Sequence, residues 1–218
     1  KKKKNAMTGN TTGNGNSYNV AIGDGAHFWT GTGDQNNVIG YNSNTYYSGG
    51  SYNTMMGSQT RCSNNYNVSI GYRAGNSPST SNNYNTFVGS EAGYDSDAGD
   101  NCTFVGRRAG YNGGNGDHNT AIGEQSQYKL NGGSNNSSCG RQSMYNVTSG
   151  TQNTGMGAYA GYQINSGDNN TFLGYQAGYY NGSSSAAATT TGENVTIIGF
   201  RAIATSGTAS NQITLGNR

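Results

Sequence analysis

Four stretches decide how this chain is read: NVAIG at Asn19–Gly23, NTFVG at Asn85–Gly89, NTAIG at Asn119–Gly123 and NTFLG at Asn170–Gly174. Each runs asparagine, a small or β-branched residue, a variable residue, an apolar residue, then glycine. Working outward, the closing glycine recurs as Gly23, Gly40, Gly57, Gly71, Gly89, Gly106, Gly123, Gly140, Gly157, Gly174, Gly199 and Gly216, and eight of the eleven intervals are 17 residues. A fixed period of this size is the signature of stacked repeats and excludes generic disorder.

Each column of the repeat has a physical reading. The residue before the glycine is apolar in every copy: Ile22, Ile39, Met56, Ile70, Val88, Val105, Ile122, Cys139, Met156, Leu173, Ile198 and Leu215. It reads as the inward residue of a short strand, a core ladder. The residue before that faces the other way and is often apolar too, as in Val38, Met55, Phe87, Phe104 and Phe172. A strand apolar on both faces is buried on both. A narrow solenoid has no second surface of its own, so these five residues are expected at a self-association interface.

Three residues after the glycine stands Ala, Ser or Thr, from Ala26 and Ser43 to Ala177 and Ala202, which implies close coil packing. The motif asparagine suggests stacked amide ladders. A Gly followed by Asp, Ser or Asn, as at Gly99–Asp100 and Gly116–Asp117, is turn chemistry. The expected coil is turn, short strand, glycine bend, small-residue strand, turn: an all-β β-solenoid, or β-roll, of about twelve 17-residue coils. At about 4.8 Å per coil it forms a rod of roughly 58 Å. Residues 16–217 read as one solenoid domain and 1–15 as an N-terminal arm or linker. Departures from the period are a shortened loop before Gly71, the loop holding Pro78, and an insertion around 180–193. Asn101, Asn194 and Asn211 stand one position early and suggest a bulge or register change.

Composition agrees. The 218 residues include 37 Gly and 33 Asn, while Leu, Ile, Val and Phe total 24. That is too little apolar surface for a compact enzyme core. No apolar run is long enough for a membrane span. One proline excludes collagen, and a net charge of +2 is too small for a charged disordered polymer. Beyond Lys1–Lys4, read as a solvated arm, a linker or a non-native addition, no basic stripe points to nucleic acid. No secretory signal is evident, so the chain reads as a mature form or a fragment. Cys62, Cys102 and Cys139 make neither a disulfide framework nor a zinc motif. No cofactor or metal is implied.

The NTFVGxxAG and NVxIGxxAG units resemble the head repeats of trimeric autotransporter adhesins, a left-handed β-roll. They resemble still more the repeats of phage and algal-virus tail fibres, especially GYQAG at Gly174–Gly178 and NQITLGN at Asn211–Asn217. The resemblance implies a parallel homotrimer on an extracellular or virion surface. A 17-residue period is longer than the adhesin heads usually have, and neither stalk heptads nor a membrane anchor is seen.

Tyr94, Tyr111, Tyr128, Tyr145, Tyr162 and Tyr179 fall in strict register, with Tyr18, Tyr52, Tyr66 and Tyr84 in another column. A stacked ladder serves either as a glycan-contact face or as packing between coils. Trp29, beside His27 and Phe28 and near Tyr46 and Tyr47, is a contact patch or a cap. Glu91 and Glu124 lie in nearby columns but two coils apart, too far for a glycosidase pair. Gly113–Ala121 lacks the recurrence of a calcium repeat. The expectation is therefore a non-enzymatic fibre segment that presents an attachment face to a cell-surface glycan or protein receptor, a viral tail fibre. The alternatives are a bacterial adhesin head binding glycan or matrix and, in a different class, an ice-binding solenoid built on Thr54, Thr86, Thr103, Thr120, Thr154 and Thr171.

Overall fold

The computed structural model describes residues 18–26, 33–43, 50–62, 64–76, 83–95, 99–179, 191–204, 206 and 208–216. Trp29 with its neighbours, Pro78, most of the 180–193 insertion and the first fifteen residues lie outside the described residues. The chain is an all-β parallel solenoid with coils of about 17 residues, the separation at which backbone and side chains of adjacent coils hydrogen-bond. Among the described residues its sheet has twelve strands in chain order. They are β1 Val20–Ile22, β2 Asn37–Ile39, β3 Thr54–Met56, β4 Val68–Ile70, β5 Thr86–Val88 and β6 Thr103–Val105. Then come β7 Thr120–Ile122, β8 Ser137–Cys139, β9 Thr154–Met156, β10 Thr171–Leu173, β11 Thr196–Ile198 and β12 Ile213–Leu215. Each strand is three residues long. The small-residue segment expected as a second strand is a turn: Ala74, Ala92 and Ala109 are fully buried there with no strand around them.

The two apolar columns exchange the places expected of them. The middle residue of each strand points inward: Val38, Met55, Phe87, Phe104 and Phe172 line the chain's own core, not an interface. The residue before the glycine points out. Ile22, Met56, Ile122, Met156, Leu173 and Ile198 keep 37–48% of their surface exposed, and Leu215 keeps 71%. Ile39, Ile70, Val88 and Val105 are half-buried on the same outer face. Parity is the cause. The motif asparagine sits two residues before the strand centre, so both point to the same side. That asparagine must reach the next coil's backbone from inside.

The asparagines form a ladder, but of side chain to backbone. Asn136 Oδ1 accepts from the Asn153 N–H at 3.0 Å, and Asn136 Nδ2 donates to the Gly150 carbonyl at 2.8 Å. Asn19, Asn36, Asn85, Asn119, Asn153 and Asn170 repeat both bonds. Each amide satisfies one donor and one acceptor that a three-residue strand leaves over. Asn101, Asn194 and Asn211 create no bulge, because β5, β6, β10, β11 and β12 pair without slippage. Cys102, Val195 and Gln212 occupy the asparagine column instead. Cys102 Sγ lies 3.4 Å from the Gly116 carbonyl that an Asn Nδ2 would take. Register also survives the 25-residue interval between Phe172 and Ile197, so the extra residues are absorbed outside the sheet.

The repeat glycine is required on two counts. Gly106 has φ +132°, and a Cβ there would lie 2.6 Å from the Gly123 carbonyl oxygen. Non-glycine residues take positive φ at both strand-flanking corners, for example His118 at 59° and Arg108 at 57°. Their N–H groups bond across coils, His118 to Asp100 at 2.9 Å and Arg108 to Ser90 at 2.9 Å, which holds the strained conformation.

Candidate attachment surfaces

Two surfaces stand out: the outer sheet face and the tyrosine ladder. The outer face carries two columns. Beside the aliphatic column runs the first residue of each strand, Thr at Thr54, Thr86, Thr103, Thr120, Thr154, Thr171 and Thr196. Neither column contains a charged residue. The face is therefore an uncharged stripe as long as the sheet. The exposed thiol of Cys139 lies in it, between Ile122 and Met156. The other two thiols are internal, and burial pushes Cys62 up to about 12 and Cys102 up to about 11.

The tyrosine ladder forms as spaced. Rings of Tyr94, Tyr111, Tyr128, Tyr145 and Tyr162 stack at 4.9–5.1 Å with interplanar angles of 3–21°. Tyr179 closes it with a ring tilted by 58° at 5.3 Å. At this spacing the ring faces cover one another, leaving edges and hydroxyls for a ligand. Cations sit over the rings, Arg108 at 5.5 Å from Tyr111 and Lys129 at 5.7 Å from Tyr145. Burial raises the phenol pKa of Tyr111, Tyr145 and Tyr162. The second column also stacks: Tyr52, Tyr66 and Tyr84 lie 4.7 and 5.0 Å apart, parallel within 2°, and are more exposed.

The two carboxylates considered for catalysis are engaged separately. Glu91 accepts from Arg108 Nε at 2.6 Å. Glu124 pairs with Arg107 and lies 3.6 Å from Arg141; the Arg107 hydrogen bond holds its pKa low. Among the described residues, no cluster of three metal-ligating side chains occurs. No helix among them is long and apolar enough to cross a membrane.

Sequence reasoning missed a third internal column, Leu130, Val147 and Ile164, all fully buried. Their 17-residue spacing was the available signal. No family model, curated protein or solved structure matches this chain.

Proposed function

We propose that this chain is a non-enzymatic segment of a homotrimeric fibre that extends from a virion or cell surface and presents an attachment face. The observation that carries this reading is the outer sheet face. A single chain leaves an uncharged stripe with nine aliphatic residues at least 37% exposed, repeated along the whole sheet. Contiguous apolar surface of that kind marks an interaction site, and copies of the same rod are the partner whose repeat matches it coil for coil. Three chains would bury the stripe around one axis and leave the Tyr94–Tyr179 ladder outside. Weak contacts repeated along three chains then add through avidity. The receptor is a cell-surface glycan or protein, met by tyrosine edges and hydroxyls; the setting is a viral tail fibre or, by the same architecture, a bacterial adhesin head.

The native thiols test the covered face. Folded wild type should react with a thiol reagent at no cysteine, because Cys139 is shielded between chains, and at three once denatured. One fast-reacting thiol in the folded state would mean that the stripe is open. Attachment is tested by glycan-array and host-cell binding. Tyr111→Ala with Tyr128→Ala should abolish binding while leaving the oligomer intact; unchanged binding would remove the ladder from the attachment role.

A second reading has its own observation: the threonine column lies beside the aliphatic column on one outward face. An ice-binding solenoid would use that face as a monomer, and thermal hysteresis in a monomeric sample would favour it.

A further inference from the structure

Residues on either side of the strands form the two long edges of the outer face, and the edges differ in charge. The edge before the strands carries Asp34, Asp100, Asp117, Asp168 and Glu193, with Ser, Asn or Thr at the other described positions of this column and no basic residue. The edge after them carries Arg73, Arg107, Arg108, Arg141 and Arg201 against Asp24, Glu91 and Glu124. Glu91 and Glu124 are already held by arginines of that edge. Two of the five acids share a coil with an arginine, and a third lies one coil away. Asp100 shares a coil with Arg107 and Arg108, Glu193 shares one with Arg201, and Asp117 lies one coil below Arg141.

We propose that the acidic edge of one copy seats against the arginine edge of the next, in the same axial register. This rests on the self-association reading above and adds which edges meet. A rotational ring is heterologous: every subunit offers one edge to its left neighbour and the other to its right. Opposite charge at matched height fixes direction and register, which an apolar stripe repeating every coil leaves open to slippage. The carboxylates have geometry suited to this. Asp100 and Asp117 spend Oδ1 on the neighbouring coil's N–H groups, at 2.7 and 2.8 Å, so their position on the rod is fixed.

The test uses neutral replacements that keep the fold. D100N/D117N/E193Q neutralises the three acids matched to an arginine and keeps an amide acceptor at each, and Asn65 and Asn83 already occupy this column. R107Q/R108Q/R141Q/R201Q removes the arginines of the facing edge that match those acids. Association is followed by light scattering against concentration at low and high NaCl, with circular dichroism checking that each variant folds. Each set should weaken association about tenfold and flatten its salt dependence. The combined variant should be little weaker than either alone, because removing one side already removes the pairing. An assembled wild type whose variants associate unchanged, or whose effects simply add, overturns the edge pairing and leaves self-association standing. A wild type that stays monomeric at every concentration overturns both.

Discussion

Two neighbouring stretches of the rod fill the same cross-section by opposite means. Around β5 and β6 the strand supplies the bulk. Phe87 and Phe104 are buried with ring centroids 5.5 Å apart, and the turn opposite is glycine. A Cβ at Gly110 would lie 2.3 Å from the Phe104 ring, and one at Gly93 2.7 Å from Phe87. Around β8 and β9 the turn supplies the bulk. Gln127, Leu130, Met144 and Val147 are fully buried, while the strand shrinks to Ser138 and Gly155. A Cβ at Gly155 would lie 2.8 Å from Met144 Cγ. Volume is conserved per coil although no single column conserves it.

The exchange has a polar cost. Gln127 Nε2 donates to the Thr120 carbonyl at 2.9 Å and to Ser138 Oγ at 3.0 Å, but its Oε1 has no partner. Phenylalanine coils need no such network. The largest effect should therefore come from the aromatic stretch. Phe104→Ala is expected to cost about 3–5 kcal/mol, against about 1–2 kcal/mol for Ser138→Ala, which only breaks hydrogen bonds. Chemical denaturation of the two variants compares them directly, and equal losses would break the distinction.

Next in size is a conversion of one stretch into the other. Ser138→Phe alone overpacks its coil and should destabilise by about 1–3 kcal/mol. Adding the pair Gln127→Gly/Met144→Gly as the second change supplies the space that Gly161 and Gly178 give Phe172, and should recover most of that loss in a thermal melt. A loss that instead deepens with the second change would show that the columns do not compensate.

A smaller gain is expected where the asparagine ladder is interrupted. Cys102→Asn restores the side chain that bridges coils elsewhere and should stabilise by up to about 1 kcal/mol. A lower melting temperature would mean that the Cys102 thiol fits its column better than the ladder residue.

The smallest effect is one of pH. Burial raises the phenol pKa of Tyr111, Tyr145 and Tyr162 above the unfolded value of about 10. The native state then holds protons that the unfolded chain has lost. Their contribution is full below about pH 10 and disappears as pH rises through the folded values. Phenolate absorbance should show these residues titrating above the ordinary tyrosine range, and Tyr→Phe at the three positions should flatten the alkaline fall in stability.

This comparison also explains what the sequence made legible. Period, strand position, glycine bends and tyrosine register follow from spacing alone. Facing did not, because the column with unbroken apolar character, Ile22 to Leu215, is the outer one. The true core column reads irregularly through Ser69, Ser138 and Gly155, since its deficits are filled by turn residues such as Met144 and Leu130. Asn85 and Asn119, buried and bonded to the next coil, were the residues that fixed parity. Stacked tyrosines were predictable from register. That stacking hides their faces depends on a ring spacing near 5 Å that only coordinates supply.

The central claim is that copies of the chain cover the outer stripe. The mass of the folded protein in solution tests it most directly, by light scattering at micromolar and submicromolar concentration. A single species of three times the 22.7 kDa chain mass is the predicted result. A monodisperse particle of 22.7 kDa at every concentration would contradict it.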